Sequence, residues 1–290
     1  MYNYDELQKL QQEALNIYKE FKRICDKHEL CFFAIGGTCI GAVRHNGFIP
    51  WDDDIDVAMP YEDICKFKEI IRDELKAGYS LYDPKEKKHF YNNHLKLQND
   101  NTAFIEKGML NFPESYYGVF IDIMPIFGLP TGKEREHVLK KYDQYMRLNP
   151  KMRRPFQDMI SPLSKMAWIL NFWRRLICPF NYYTEKINSL LRKYSLNSSD
   201  KIIFGWRRLK NKVVFDYDYK CVFDFEDFSD YILMPFEDTY MRGPKVYDSY
   251  LTSEFGNYMT LPPEEKRVPI HHVGILDFNK SYKSYAEERN

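Results

Sequence analysis

The sequence predicts a mixed α/β protein built around a mixed sheet, and three observations support this class. Apolar residues recur at three- and four-residue steps from Leu7 to Ile24, the pattern of an amphipathic helix. Short apolar and aromatic runs, such as CFFAI before Gly36, are typical of buried strands. Helical patterns alternate with these runs, and 290 residues suffice for one large domain or for a core with an added lobe.

The elements are predicted in the following order after the opening helix. The predicted strands and helices are a strand at 31–35, a helix from 38, a strand at 54–59, a helix at 61–75, and strands at 79–82, 94–98, 103–106 and 118–124. A mainly helical pattern runs from Lys133 to about Tyr194, and aromatic, β-rich segments return from Ile202 to Phe236. We therefore expect a catalytic core over 1–130, a mainly helical insertion over 131–200, and a C-terminal part over 201–290 that packs back on the core.

A glycine pair, Gly36 and Gly37, lies between the first predicted strand and the second helix. Glycines there let the backbone approach a phosphate, and the exposed N–H groups with the positive end of the helix dipole favour an anion. The Thr38 hydroxyl is expected either to cap the helix or to touch the same phosphate. Because such pairs also make ordinary tight turns, the pair indicates a phosphate site only together with other residues.

An Asp-x-Asp pair, Asp54 and Asp56, follows seventeen residues after Gly37. Side chains alternate along a strand, so both carboxylates are predicted to point to one face. Their repulsion is unfavourable unless a cation lies between them, and oxygen ligands with open positions for substrate phosphates suit Mg²⁺. The alternative is a solvated acidic turn. Asp52 and Asp53 are interpreted as such a turn, with Asp53 facing away from the pair.

A third carboxylate, Asp122, is the only charge in the apolar run GVFIDIMPIF. An ionised Asp inside a buried strand is unfavourable unless it is paired or bound to a metal, so its position requires a partner. Asp54 and Asp56 with their metal ion are the expected partners. The alternative is an Asp at a strand end that backbone N–H groups hold.

Four segments of the chain together resemble the LicD family of bacterial phosphotransferases, whose core fukutin-related proteins share. The segments, in chain order, are GGTCIGAVRHNGFIPWDDDIDVAMP, LKLQNDNTAFIE, FIDIMPI and EFGNYMTLPPEEKR. The resemblance implies a nucleotidyltransferase-like fold, and the pattern along the chain adds a helical insertion and a C-terminal extension to that core. It also implies transfer of a substituted phosphate, in the family's characteristic case phosphocholine from cytidine diphosphate (CDP) choline, onto a cell-surface glycan such as lipopolysaccharide, capsule or teichoic acid.

The resemblance gives individual positions a role. It assigns the phosphate-binding turn to Gly36, Gly37 and Thr38. It assigns the catalytic, metal-binding carboxylates to Asp54, Asp56 and Asp122. Lys96 falls in a strand segment expected to present a basic side chain to the donor. The implied metal is Mg²⁺, with Mn²⁺ as an alternative.

Further basic and aromatic residues are candidates for binding the donor. Arg44 offers a bidentate fork for phosphate oxygens that stays charged at any working pH, although a surface ion pair is an equal alternative. Trp51 is expected either to stack on a base or to wedge its loop. The resemblance ends at the pair His271 and His272, of which we take His272 as the substrate contact.

Composition limits the location and the partners of the protein. The 42 basic and 42 acidic residues cancel, so nothing indicates nucleic-acid binding. Six cysteines without C-x-x-C spacing indicate reduced thiols, and the N-terminus lacks a basic-then-apolar signal, so we expect a cytoplasmic protein. The apolar, Trp- and Arg-containing segment Pro162 to Phe180 is predicted either to touch the inner face of the membrane, where a lipid-linked glycan would lie, or to be buried in the protein.

The sequence thus predicts a Mg²⁺-dependent transfer of a substituted phosphate from a CDP-activated donor to a glycan hydroxyl. Asp122 is expected to bind metal or to take the proton from the attacking hydroxyl. Three alternatives stay open: a nucleotidyltransferase that moves a nucleoside monophosphate to a small alcohol or a protein, a metal-dependent glycosyltransferase, and a non-enzymatic binding protein.

Overall fold

A seven-stranded mixed sheet forms the centre of the molecule. The computed structural model describes residues 3–83, 94–148, 182–205, 210–211, 217–218 and 221–289. Its strands are β1 (Phe33–Ala34), β2 (Asp56–Pro60), β3 (Tyr79–Tyr82), β4 (Leu95–Asn99), β5 (Ala103–Glu106), β6 (Phe120–Gly128), β7 (Lys201–Phe204), β8 (Lys210–Asn211), β9 (Tyr217–Asp218), β10 (Val222–Asp224), β11 (Tyr231–Phe236), β12 (Thr239–Pro244) and β13 (Val273–Asp277). The α-helices within these ranges are α1 (Tyr4–Lys27), α2 (Gly36–His45), α3 (Tyr61–Glu74), α4 (Gly132–Leu148), α5 (Tyr182–Leu191), α6 (Tyr247–Phe255) and α7 (Tyr282–Glu287).

Strand β6 lies at the middle of this sheet, and all nine of its residues are buried. The sheet runs in the order β1-β2-β6-β4-β3, while β7 pairs with the far end of β6 and β10 pairs with β7. Strands β2 and β6 are parallel, and the other pairings in the sheet are antiparallel. Because both faces of β6 are covered, the strand reads as a continuous apolar run in which Asp122 is the only charge.

Helix α1 packs its apolar stripe against the core, as its periodicity predicts. A capping box at its first turn, in which Asn3 and Glu6 exchange backbone and side-chain hydrogen bonds, fixes where the helix begins. Phe21 meets Phe32, just before β1, with ring centroids 4.9 Å apart. Burial of such an aromatic side chain contributes about 1.5–3 kcal/mol, so this contact holds α1 beside the strands that carry the site.

The C-terminal part returns to the first half of the chain in two places. Strand β13 pairs antiparallel with β5. The hairpin β11–β12 packs against α2 and β1. The first pairing brings residues near 271 beside strands of the first half, although they are separated from them by more than 150 positions in sequence.

The mixed α/β class is confirmed, with several shifts in element boundaries, two of which concern the residues of the site. Helix α2 begins at Gly36 instead of Thr38, and β2 begins at Asp56 instead of Asp54. Strand β2 begins later than predicted because its first hydrogen bond with β6 runs from the Asp122 N–H to the Ile55 carbonyl (2.9 Å). Asp54 therefore precedes the paired residues.

Helices α4 and α5 lie within the stretch predicted to be helical. The segment Pro162 to Phe180 is outside the described residues, and the predicted domain boundaries stay predictions. Across the ranges given above, no helix is both long and apolar enough to cross a bilayer. The described cysteines are free thiols, of which Cys65 is exposed and the others are buried or partly buried.

Candidate active site

Three charged residues stand side by side on neighbouring strands. Asp122 on β6 is directly opposite Asp56 on β2 and Lys96 on β4, so all three side chains lie on one face of the sheet. Asp54, two residues before Asp56, reaches the same place: one oxygen from each of Asp54, Asp56 and Asp122 lies within 4.8 Å of the other two. The structure therefore brings together the three carboxylates named from the sequence, and their catalytic role stays a prediction.

Lys96 compensates the charge of Asp122. Its Nζ lies 2.7 Å from Asp122 Oδ1, and the side chain is fully buried, with Nζ 3.3 Å from the centroid of the Phe120 ring. Burial alone would raise the pKa of Asp122, but Lys96 and the nearby His94 hold that pKa below its usual range. Lys96 thus lies at the site as an ion-pair partner of a carboxylate, whereas the sequence suggested a contact with the donor.

The pKa values of the carboxylates on the β2 side shift in the opposite direction to that of Asp122. Burial, followed by repulsion from Asp56 and the neighbouring carboxylates, raises the pKa of Asp54 well above its ordinary value. Burial and the adjacent Asp53 raise the pKa of Asp52 to about 7. Carboxylates crowded in this way are stabilised when a cation joins them.

Asp52 and Asp53 are buried, and the prediction of a solvated turn is wrong. Only 6% of Asp52 and 3% of Asp53 is exposed. Residues remote in sequence cover this turn: Gln11 of α1 donates to the Asp52 carbonyl (2.8 Å), and His271 Nδ1 lies 3.1 Å from Asp53 Oδ1. A local pattern cannot show such long-range cover.

The glycine pair forms the first turn of α2 and lies against the carboxylates. Gly36 adopts a left-handed conformation (φ +57°), and its N–H donates to the Tyr250 hydroxyl (2.9 Å). A Cβ at Gly37 would lie 2.4 Å from Asp52 Oδ2. The Thr38 hydroxyl accepts from the N–H of Asp56 (2.8 Å), so it ties α2 to β2. The two glycines thus allow the acidic loop to approach the helix N-terminus closely.

The histidine pair near the C-terminus is divided between the site and the surface. His271 contacts Asp53, lies 3.9 Å from Asp54 Oδ2, and packs edge-on against Phe104 and Phe120. Although burial opposes it, the hydrogen bond with Asp53 raises the pKa of His271. His272 is exposed, and its carbonyl accepts from Lys107. The structure places His271, and not His272, at the carboxylates.

Arg44 lies at the other end of α2 from the glycines. Its Nη1 donates to the Tyr258 carbonyl (2.5 Å), and its Nε lies 3.0 Å from His45 Nε2. Among the described residues, Arg44 forms no ion pair, which was the alternative that the sequence left open. Its role in donor binding stays a prediction.

Two residues at the site were missed from the sequence. His94 Nδ1 lies 3.8 Å from Asp122 Oδ2. The available signal is the two-residue spacing between His94 and Lys96 in the strand predicted at 94–98. The sequence indicates the pair His271 and His272. Which of the two reaches the site depends on the pairing of β13 with β5, which contains a register irregularity after Val273.

The ligand atoms at the site fit a divalent cation. Asp54, Asp56 and Asp122 offer hard oxygen ligands, and a second group that shares Asp54 adds Asp53 and His271, again with ligand atoms within 4.8 Å of one another. Oxygen ligands that leave room for substrate phosphates suit Mg²⁺ and Mn²⁺.

Comparison with known proteins finds a matching family model and similar proteins. Residues 29–168 match the family model described as LicD/FKTN/FKRP, nucleotidyltransferase domain. The chain is 28% identical over 270 residues to the lipopolysaccharide cholinephosphotransferase LicD of Haemophilus influenzae, an alignment that covers 92% of this chain and 96% of that protein. Uncharacterized proteins of Rickettsia typhi and Rickettsia prowazekii are 34% and 33% identical over 74 and 72 residues, about a quarter of each chain. The resemblance drawn from the sequence motifs is thereby confirmed, and the domain over residues 29–168 belongs to the LicD family.

Proposed function

We propose that this protein is a phosphotransferase of the LicD type. It transfers a phosphocholine-type group from a CDP-activated donor to a hydroxyl of a cell-surface glycan and depends on Mg²⁺. The observation that carries the proposal is the group of three carboxylates at the N-terminus of α2. The relative from Haemophilus influenzae, aligned over nearly its whole length, carries the name of a lipopolysaccharide cholinephosphotransferase, which supports the choice of reaction.

Asp54, Asp56 and Asp122 would hold the cation. When bound, it would neutralise charge on the donor's diphosphate and on the leaving nucleotide. The first-turn N–H groups of Gly37 and Thr38 have no partner inside the helix, so they suit a phosphate oxygen at the same place. In-line displacement forms a bond from the glycan hydroxyl oxygen to the phosphorus that carries the head group and breaks the bond from that phosphorus to the bridging oxygen. Cytidine monophosphate (CMP) leaves with the bridging oxygen, and the hydroxyl proton passes to water.

Asp122 acts as a ligand and not as the base in this proposal. Lys96 lies 2.7 Å from one of its oxygens and is itself fully buried, which keeps the carboxylate ionised and fixes its position. A carboxylate that holds no proton near neutral pH, and whose pKa lies below its usual range, accepts a proton from a hydroxyl poorly. Of the two roles that the sequence leaves open for Asp122, the proposal adopts that of a ligand.

The acceptor is proposed to be a lipopolysaccharide or lipid-linked glycan that is reached at the cytoplasmic face of the membrane. Contact with that membrane is proposed for the segment Pro162 to Phe180, which lies outside the described residues. The nucleotide-activated donor is a cytoplasmic metabolite class, so donor and acceptor would meet at that face.

A turnover screen tests the reaction directly. The purified protein is incubated with Mg²⁺, a glycan acceptor and CDP-choline, CDP-ethanolamine, CDP-glycerol or CDP-ribitol, and CMP release is followed. We expect one donor to be consumed, with its head group and phosphate found on the glycan. Turnover of a nucleotide sugar and none of these donors would contradict the proposal.

A nucleotidyltransferase is the second candidate, because the family model that matches residues 29–168 is described by that activity. It would use the same helix N-terminus and the same carboxylates. Product analysis separates the two: a nucleotidyltransferase attaches the nucleoside monophosphate to the acceptor and releases pyrophosphate from a nucleoside triphosphate.

A further inference from the structure

The first turn of α2 is capped by a side chain from a distant part of the chain. Ile35, which precedes the helix, offers no polar side chain for this purpose, whereas Ser, Thr, Asp and Asn are the usual caps. The N–H of Gly36 instead donates to the hydroxyl oxygen of Tyr250, 214 positions later (2.9 Å). Gly36 has a left-handed conformation (φ +57°), and a Cβ on it would lie 3.5 Å from Asp56 Oδ2. Tyr250 therefore fixes the backbone directly beside a proposed metal ligand.

The ring of Tyr250 is held by aromatic side chains. Tyr250 lies on α6 and is fully buried. Its ring meets three phenylalanine rings edge-on at centroid distances of 6.0, 4.9 and 5.1 Å, those of Phe204 on β7, Phe223 on β10 and Phe228. Close packing of this kind restricts the ring to one orientation, so the hydroxyl has a fixed position. The C-terminal part of the chain thus sets where the cap of α2 lies.

A carboxylate supports the Tyr250 hydroxyl from its other side. Glu254, one helical turn after Tyr250, forms a hydrogen bond with this hydroxyl, and only 6% of Glu254 is exposed. Burial, followed by the Glu254 carboxylate, raises the pKa of Tyr250 well above its ordinary value, so the hydroxyl keeps its proton. A tyrosine hydroxyl has one proton to donate, which goes to Glu254 while the oxygen accepts from Gly36. Linked hydrogen bonds of this kind strengthen one another. We call Tyr250 and Glu254 together the Tyr250 cap.

Two other hydrogen bonds attach the start of α2 to the sheet, and both go to Asp56. The N–H of Ile35 donates to the Asp56 carbonyl (3.2 Å), and the Thr38 hydroxyl accepts from the Asp56 N–H (2.8 Å). Because both bonds attach to one residue, they leave the helix N-terminus able to tilt about it. The Tyr250 cap adds a third point, which comes from α6 and fixes the direction of the helix start. The N–H groups of Gly37 and Thr38, which have no partner inside the helix, then point in one direction.

We propose that Tyr250, supported by Glu254, is a positioning residue of the transfer site. It holds α2 so that the first-turn N–H groups of Gly37 and Thr38 face the diphosphate of the donor. Neither residue of the Tyr250 cap touches the reacting atoms, because their effect passes through Gly36 to the phosphate-binding turn. N–H groups that are already oriented stabilise phosphate charge more than groups that must first be ordered. The inference deepens the proposed function and rests on it for the identity of the donor.

Binding of inorganic pyrophosphate to the full-length protein in Mg²⁺ tests the proposal without any turnover. Tyr250→Phe removes the hydroxyl and keeps the ring, so it is expected to weaken pyrophosphate binding about tenfold in calorimetry. With selective ¹⁵N-glycine labelling, hydrogen exchange of the Gly36 amide is expected to become about tenfold faster, because that amide loses its acceptor. The affinity for Mn²⁺ in the absence of pyrophosphate should stay within about twofold of wild type, because the carboxylates are unchanged.

Tyr18→Phe is the matched control. Tyr18 is also fully buried, and its hydroxyl donates to the Tyr240 carbonyl (3.0 Å) between α1 and β12. The substitution therefore removes a comparable hydrogen bond that does not involve α2. It is expected to lower the melting temperature and to leave pyrophosphate affinity within about twofold of wild type.

A double variant separates positioning from stability. Tyr250→Phe takes a hydrogen-bond donor away from the buried Glu254, which lowers the melting temperature. Tyr250→Phe/Glu254→Gln also replaces the carboxylate by a neutral amide and should recover part of that loss, while pyrophosphate binding should stay about tenfold weaker than in wild type. Glu254→Gln alone keeps the hydroxyl and should bind pyrophosphate more tightly than either variant that lacks it. If Tyr250→Phe does not fold, the double variant provides the comparison.

The results that would overturn the inference differ from those that would refute the proposed function. The inference is overturned by a wild type that binds no pyrophosphate, by unchanged affinity in folded Tyr250→Phe, or by affinity that recovers with stability in the double variant. An equal loss of affinity in Tyr18→Phe would also overturn it. Pyrophosphate binding that depends on Tyr250, together with turnover of no CDP donor, would refute the proposed function and leave this inference standing.

Discussion

The two strands that supply the carboxylates differ in how their charge is balanced. On the β6 side, Asp122 is paired with the buried Lys96 at 2.7 Å, and its pKa is held low. On the β2 side, burial and mutual repulsion raise the pKa values of Asp52 and Asp54. The protein thus carries its own cation for one side of the site, while the proposed function assigns a cation from solution to the other side.

The largest expected effect comes from removing one carboxylate on the β2 side. Asp54→Asn should lower the rate of transfer by at least a thousandfold, because the substitution removes a proposed metal ligand. The free energy of unfolding in EDTA should rise by about 1 kcal/mol, because a buried and repelled carboxylate is gone. Initial rates and urea denaturation measure the two effects.

Asp73→Asn, on the exposed face of α3, is the matched control and should change neither quantity. Near wild-type transfer by Asp54→Asn would show that the β2 side does not hold the catalytic cation.

The second prediction concerns the buried ion pair on the β6 side. Lys96→Met should lower the free energy of unfolding by about 3–5 kcal/mol, because it leaves the charge of Asp122 buried without its ammonium. Denaturant melts measure this loss. The double variant Lys96→Met/Asp122→Asn should recover most of it, since a neutral pair is tolerated where a lone charge is not. If Lys96→Met is as stable as wild type, Lys96 does not balance the charge of Asp122, and the two sides of the site do not differ in how their charge is balanced.

The third prediction concerns the contact between α2 and the acidic loop. Gly37→Ala should lower the free energy of unfolding by about 1–3 kcal/mol, because its Cβ would lie 2.4 Å from Asp52 Oδ2 and force the loop to move. Thermal melts check this. Adding Asp52→Ala removes the clashing oxygens and should restore most of the stability; if it restores none, the carboxylate is not the cause.

The smallest effect is a pH dependence of the stability that differs between the protein without metal and the protein with Mg²⁺. The pKa of Asp52 is raised to about 7, so its contribution to stability is full below its unfolded pKa and is lost as pH rises through about 7. Without metal, the free energy of unfolding should therefore fall between about pH 4 and pH 7. With Mg²⁺ in excess, ligands ionise more readily as pH rises, and the stabilisation by Mg²⁺ should grow by at least ~1.4 kcal/mol over the same range. Parallel curves with and without Mg²⁺ would contradict this.

The sheet and its three carboxylates could be predicted from the sequence because their signals are local. The alternation in Asp54 and Asp56 and the lone charge of Asp122 in an apolar strand each follow from a few neighbouring residues. The parallel pairing of β2 with β6 then places them together. Helix α1 could be predicted in the same way, because its apolar residues recur with the period of a helix and form its buried face.

The features that sequence could not give depend on contacts between distant segments. Asp53 is buried because His271, 218 positions away, folds over it. Lys96 pairs with Asp122 because β4 lies antiparallel to β6 in one register, and a shift by one residue would turn its side chain to the other face. Neither the order of strands in the sheet nor the return of β13 to β5 is written in any local pattern.

The most direct test of the account is a titration with Mn²⁺, followed by electron paramagnetic resonance, on wild type and on the double variant Asp54→Asn/Asp56→Asn. We expect wild type to bind at least one Mn²⁺ per chain, Mg²⁺ to displace it, and the double variant to lose this binding while keeping its circular-dichroism spectrum. A wild-type protein that binds no Mn²⁺, or a double variant that binds it as tightly as wild type, would contradict the claim that the β2 side of the site holds a divalent cation.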